Sequence, residues 1–219
     1  MSKIQKEKIV CACCGQEVEI ERIYSFSSDK VGLDGNKYHF LQYELEECPE
    51  CHYASLNISD TGIQVSKSIL DSFRMKPGFD QIKDHKYINL LKAADIYEKN
   101  NKPLLQAYML RLASFYAEGK SEKNLSKNLL RLANLALQTY FNGKDELTLN
   151  DVATAIYMVD GNRRIGMMTD AESMSNDLIL LLDGVKESDK ANHIRRLIEF
   201  EKELIEKKDM DQHLISEVL

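Results

Sequence analysis

Two C-x-x-C pairs, Cys11 with Cys14 and Cys48 with Cys51, constrain the fold of this chain more than any other feature of its sequence. Tetrahedral zinc takes four soft ligands, and each tight turn places two thiolates on one side of the metal. Backbone N–H groups of such turns remain free to bond the sulfurs. We therefore expect residues 1–60 to fold around one structural Zn²⁺ bound by these four cysteines. The alternatives are an iron centre, a redox pair or no metal.

Cys13 is the odd thiol, and it is able in principle to replace Cys11 or Cys14 as a ligand. The C-x-x-C spacing and the following Gly15 favour Cys11 with Cys14, because glycine readily adopts the left-handed conformation after the second ligand. His52 stands at the equivalent place of the second turn and tolerates that conformation less well. A redox role for Cys13 and a ligand role for His52 stay open beside the simpler roles of spare thiol and turn residue.

No residues with the pattern of a catalytic site are evident in the sequence. A four-thiolate site leaves no open position for substrate, which distinguishes structural from catalytic zinc. The five histidines lie singly, and phosphate-binding, dinucleotide-binding and H-E-x-x-H motifs are absent. We therefore expect no enzymatic activity. The carboxylates near the C-terminus are expected on the solvated side of a final helix: Glu199, Glu201, Glu203 and Glu206.

Charge and hydropathy bear on the compartment and the partner. The longest aliphatic run, residues 178–182, is far shorter than the roughly 20 apolar residues of a membrane helix. The charged N-terminus does not resemble a signal peptide, so we expect a cytoplasmic protein with reduced thiols and no membrane association. Residues 74–144 hold 13 basic against 6 acidic side chains, whereas residues 1–60 and 145–219 are both acidic.

The spacing of apolar residues along the chain predicts its strands and helices. Alternating apolar residues predict one strand at Val18–Ile23 and another at 38–45, with a turn-rich connection between them. Seven helices follow at the 3.6-residue period, with Pro103, Ser121, Asn150 and a Thr169/Glu172 capping box as the main start signals. The predicted helices cover about 65–73, 84–99, 103–119, 121–143, 150–166, 171–182 and 188 to the end of the sequence, the last with fraying after Asp209.

These elements predict a mainly α protein with a small β-rich module, in which an N-terminal zinc ribbon (1–60) precedes antiparallel helical hairpins (61–219). Gly166, Ala171 and Leu178 match part of the tetratricopeptide pattern, in which a turn glycine is followed five residues later by a small residue. The aromatic and proline positions of that repeat are missing. The alternative is an ordinary irregular helical domain.

The chain resembles an uncharacterised bacterial family of unknown function in which a double C-x-x-C module precedes a tetratricopeptide-like tail. The resemblance covers most of the chain, but only the cysteine module is specific to the family. The family commonly has glycine where this sequence has His52, and Cys13 is an addition. The resemblance implies a fold and a bacterial origin, and it implies no activity. It is carried by Cys11–Gly15, Leu33–Gly35, Glu47–Ala54, Ile58–Asp60, Tyr108–Tyr116 and Arg163–Gly166.

These features favour a zinc-stabilised adaptor that binds another protein. The alternative is a nucleic-acid-associated regulator using the basic segment 74–144, where Lys120, Lys123, Lys127 and Arg131 are the leading candidates for binding an anionic partner. Nucleic acid is the less favoured partner because the zinc module itself is acidic. Further basic candidates in the segment are Arg74, Lys76, Lys83, Lys86, Lys92, Lys99, Lys102 and Arg111.

Overall fold

The computed structural model describes residues 3–25, 31–33, 45–186 and 188–218. Within them the protein is mainly α-helical with a small β-rich part near the N-terminus, as the sequence predicts. The strands are β1 (Lys3–Val10), β2 (Glu17–Ser25), β3 (Glu46–Glu47) and β4 (Ala54–Ser55). The helices are α1 (Lys67–Ser72), α2 (His85–Lys99), α3 (Pro103–Gly119), α4 (Lys123–Asn142), α5 (Leu149–Ile165), α6 (Met168–Asp183) and α7 (Asp189–Glu206).

Two antiparallel strand pairs form the β-rich part. β1 pairs with β2 from Val10↔Glu17 outward, and β3 pairs with β4 over two residues each. The predicted strand at Val18–Ile23 is therefore confirmed. β1 was not predicted, because half of its residues are charged and it is held by cross-strand contacts such as Lys6 with Glu19, 3.1 Å apart. The predicted strand at 38–45 lies outside the described residues, except for Leu45, which is not in a strand.

The chain divides into two compact units, residues 1–28 with 39–126 and residues 29–38 with 127–219. In the first unit α2 packs against both β4 and α3. Pro103 opens α3, as predicted, and the Asp84 side chain, at the predicted start of α2, caps that helix by accepting from the Lys86 N–H at 2.9 Å. The change from strand to helix falls near the predicted domain boundary at residue 60, which stays a prediction.

In the second unit α5, α6 and α7 pack against one another. The apolar stripe predicted for the final helix is buried here, as Ile194, Leu197 and Ile198 show. Ser188 caps α7 by accepting from the Ala191 N–H at 3.2 Å. Leu33 lies in the same core, and the Leu33 N–H donates to the His213 carbonyl at 3.0 Å.

Three predicted helix starts are wrong. Ser121 has a φ of 64° in the turn that ends α3, and α4 begins two residues later. Thr148, not Asn150, caps α5, because Asp151 completes a capping box with it. Thr169 lies inside the first turn of α6, which begins at Met168, two residues after the left-handed Gly166, and has no side-chain cap.

The prediction that Glu201 is solvated is also wrong. The Glu201 side chain is fully buried, and its Oε2 accepts from Arg163 Nε at 2.8 Å. The apolar period of α7 brings this position inward, where a buried guanidinium makes a carboxylate tolerable. Glu199, Glu203 and Glu206 are exposed, as predicted.

Candidate metal centre

The sulfur atoms of Cys11, Cys14, Cys48 and Cys51 lie within 4.8 Å of one another. The Cys11 and Cys51 Sγ atoms are 3.7 Å apart, and the Cys14 and Cys48 Sγ atoms are 3.8 Å apart. A tetrahedral ion with metal–sulfur bonds of about 2.3 Å requires sulfur–sulfur edges of about 3.8 Å. The four thiols are therefore spaced to hold one metal ion.

The two C-x-x-C turns have the same backbone geometry. The N–H four residues after the first cysteine donates to that cysteine's carbonyl, from Gly15 to Cys11 at 2.8 Å and from His52 to Cys48 at 2.9 Å. In both turns the N–H of the first cysteine donates a hydrogen bond to the carbonyl of the residue five positions later, at a distance of 2.9 Å. Gly15 has a φ of 72° and His52 a φ of 57°. The equivalence of these two positions is thus confirmed.

Burial opposes ionisation of two of the four thiols, Cys11 and Cys51. Cys11 and Cys48 are fully buried. Burial raises the pKa of the Cys11 and Cys51 thiols, whereas a hydrogen bond from the backbone of Gln16 lowers the pKa of Cys14. Thiolate is the form that binds a metal, so a bound ion would offset the cost of ionising the buried sulfurs.

Arg22, on β2, links the first cysteine turn to the second. Its Nε donates to Glu46 Oε1 at 2.6 Å, its Nη1 to Glu7 Oε2 at 3.0 Å and its Nη2 to Asn57 Oδ1 at 2.9 Å. Glu46 in turn accepts from the Ile58 N–H at 3.0 Å. Sequence reasoning missed Arg22, because a single arginine within an acidic strand carries no spacing signal.

The segment that follows the second cysteine turn is docked on α2. The Tyr97 hydroxyl lies 3.1 Å from Ser55 Oγ and accepts from the Leu56 N–H at 3.2 Å. At the C-terminal end of the helix, Asn100 Oδ1 accepts from the Gln64 N–H at 2.6 Å. This segment and the helix therefore share a hydrogen-bonded interface inside the first compact unit.

Cys13 is outside the sulfur group, as its position in the C-x-x-C turn predicts. Its side chain is half-buried, and burial raises the pKa of the Cys13 thiol. A raised thiol pKa lowers the thiolate fraction and with it the nucleophilicity at neutral pH.

The basic residues predicted to bind an anionic partner differ in solvent exposure. Lys120, Lys123 and Arg131 are exposed and Lys127 is half-buried. Lys120 Nζ lies 5.8 Å from the Tyr116 ring centroid. Arg111 is only 2% exposed, so its assignment as a binding residue is wrong. It falls on the buried side of α3, between Leu110 and Leu112.

Comparison of the chain with protein-family models, with curated proteins and with solved structures finds no match. Among the described residues, no helix is both long enough and apolar enough to cross a membrane.

Proposed function

We propose that this chain is a zinc-stabilised interaction protein without catalytic activity. The sulfur–sulfur distances of 3.7 and 3.8 Å carry the zinc assignment, because they equal the edge of a zinc–thiolate tetrahedron. Four sulfur ligands saturate the ion, so the metal supplies folding free energy and no reactive position. A zinc ribbon followed by a tetratricopeptide-like body, in a reducing cytoplasm, completes the proposal.

The surface of α6 supports a protein partner. Leu180 is 68% exposed and Leu181 43% exposed, and Val185 follows them at 39%. The buried residues of α6 lie on a separate stripe that includes Ala171 and Leu178. The helix also carries four carboxylates and no basic residue. A partner segment with apolar side chains and flanking lysines or arginines would complement this surface.

Replacement of Leu180 and Leu181 by serine in the full-length protein tests this role. Each exposed leucine that a partner buries is worth about 1.5–3 kcal/mol, so the double variant should weaken partner binding at least about tenfold. Leu135→Ser is the matched control, since Leu135 is 57% exposed on α4. Proteins captured from the source cells by wild type and control, but not by the double variant, would then be purified and titrated by calorimetry. Identical affinity of the double variant and Leu135→Ser for every captured partner would disprove the α6 surface.

The second candidate function is binding of nucleic acid. Lys123, Lys127 and Arg131 are spaced four residues apart along α4, which places them along one side of that helix. Phosphate contacts weaken steeply with salt, so retention on DNA or RNA should fall as ionic strength rises. Changing Lys120, Lys123 and Lys127 to glutamate should abolish that retention. Equal retention before and after the change would leave these residues as solvated helix positions.

A further inference from the structure

A second group of metal-ligating side chains lies beside the sulfur cluster. His85 Nε2 is 2.7 Å from Oε1 and 2.8 Å from Oε2 of Glu47, and His52 Nδ1 is 3.1 Å from Glu47 Oε1. One potential ligand atom from each of the three residues lies within 4.8 Å of the other two. Two imidazoles and one carboxylate therefore converge on one point.

The cysteine turn itself positions two members of this group. Glu47 directly precedes Cys48 and is paired with Ala54 in the β3–β4 ladder. His52 directly follows Cys51 and is fixed by its N–H bond to the Cys48 carbonyl. His85 comes from the first position of α2, on which the segment after this turn is docked. The three side chains are thus held by backbone that is itself hydrogen-bonded.

A buried amide orients the group from behind. Asn89 is 2% exposed, and its Nδ2 donates to Glu47 Oε2 at 2.9 Å and lies 3.1 Å from His85 Nε2. Outer hydrogen bonds of this kind fix the orientation of ligating carboxylates and imidazoles in metal sites. His85 Nε2 faces two carboxylate acceptors and one amide donor at once, whereas a neutral imidazole nitrogen is either a donor or an acceptor. A metal cation at this point would be bound by the lone pairs of both the imidazole and the carboxylate.

The donor set defines the class of ion. Imidazole with a carboxylate suits Zn²⁺, Co²⁺, Ni²⁺ and Fe²⁺, whereas Ca²⁺ and Mg²⁺ take oxygen ligands. The His52 and His85 side chains are 65% and 62% exposed, so water or a further ligand is able to fill the remaining positions. Four thiolates around a divalent ion carry a net charge of about −2, which favours a cation nearby.

We propose that Glu47, His52 and His85 bind a second, exchangeable divalent transition-metal ion with open coordination positions. This site is independent of the proposed adaptor role. It differs in chemistry from the sulfur cluster, because it has three protein ligands of nitrogen and oxygen and is accessible to solvent.

The test uses full-length protein that carries one zinc ion per chain, titrated with Co²⁺ by calorimetry. The wild type should bind one further equivalent, and its absorption spectrum should lack a thiolate-to-cobalt charge-transfer band. His85→Ala should weaken this binding at least about tenfold, the scale on which even outer-ligand losses act. His193→Ala is the matched control, since His193 is an exposed histidine on α7.

Glu47→Gln provides a second variant, because it removes the ligand charge while keeping the side-chain shape and an oxygen to accept from Asn89. It too should weaken Co²⁺ binding at least about tenfold. Zinc content, measured on every sample by elemental analysis, separates loss of the second site from loss of the sulfur-bound ion. The proposal is overturned if wild type binds no further equivalent, or if His85→Ala and His193→Ala bind Co²⁺ equally.

Discussion

Asp151 shows how one side chain organises the start of a helix. Its Oδ2 accepts from the Thr148 N–H at 2.9 Å and from Thr148 Oγ1 at 2.6 Å, and its Oδ1 accepts from the Tyr140 hydroxyl at 2.7 Å. Lys144 Nζ lies 2.8 Å from Asp151 Oδ1. Burial opposes ionisation of this carboxyl, but the bonds from Lys144, Thr148 and Tyr140 outweigh it and hold the pKa of Asp151 below its usual range.

Asp151→Asn should therefore lower the free energy of unfolding at pH 7 by about 1–3 kcal/mol, because the variant replaces one of the two acceptor oxygens by a donor NH₂ group and loses the charge. A depressed folded pKa stabilises the fold above the unfolded pKa of about 3.9 and ceases to do so as pH falls through the folded value. The gap between wild type and variant should accordingly shrink below about pH 4. Urea unfolding at pH 7 and pH 3 measures it, with the exposed Asp177→Asn as control. An equal gap at both pH values would contradict the ionic role.

Gly161 is a glycine whose presence is explained by tertiary packing alone. Glycine inside a helix normally costs stability, and Gly161 lies inside α5. A Cβ at this position would lie 2.6 Å from Asn134 Oδ1 of α4. Asn134 Nδ2 also donates to Asn162 Oδ1 at 2.8 Å. The glycine thus permits close contact between α4 and α5.

At the scale of the element, the two cysteine turns behave as copies of one unit. Each is closed by the same backbone hydrogen bonds and ends on a left-handed residue, Gly15 or His52. A non-glycine residue in this conformation costs about 1 kcal/mol. His52 is thus held by its surroundings in a conformation that glycine would adopt more readily, and it offers an imidazole that glycine lacks.

Cys48→Ser should reduce bound zinc well below one ion per chain and loosen the β-rich part, because a buried ligand is lost. Much of the far-ultraviolet helical signal should remain, since the helices bury apolar faces of their own. Elemental analysis and circular dichroism measure the two effects. Cys13→Ser is the matched control, because Cys13 is a cysteine of the first turn that lies outside the sulfur group, and it should keep its zinc. Equal zinc in both variants would refute the four-cysteine assignment.

At the scale of the whole molecule, a buried charge network ties distant parts of the second compact unit together. Arg163 is fully buried on α5, and besides Glu201 it binds Asp160 Oδ1 through Nη2 at 2.9 Å. Its Nη1 donates to the carbonyls of Asp209 and Asp211, each at 2.8 Å. One guanidinium therefore joins α5, α7 and the segment that follows α7.

Arg163→Met should lower the free energy of unfolding by about 3–5 kcal/mol, because it removes the guanidinium that pairs with the buried Glu201 carboxylate. Arg196→Met, an exposed change on α7, should cost no more than about 0.5 kcal/mol. Urea denaturation measures both. Amide exchange around Ile215, whose N–H donates to the Val31 carbonyl at 2.7 Å, should also accelerate in Arg163→Met. Similar stabilities of the two variants would show the network to be energetically neutral.

The sequence by itself determined the features that depend on local spacing. The C-x-x-C pairs identified the four sulfurs that converge, and the apolar period located seven helices and the buried stripe of α7. Turn chemistry fixed the left-handed positions after each cysteine pair and the start of α3 at Pro103. These features are decided within a few residues, so a single sequence carries them.

Only the tertiary structure decided which polar side chains meet across long separations. Arg163 and Glu201 are 38 positions apart, and Glu47 and His85 are also 38 apart. The apolar period of α7 places position 201 on the buried side, but a carboxylate becomes a core residue there only when a buried cation reaches it. Polar and charged groups enter the interior in partnership, and the fold, not the local sequence, provides the partner.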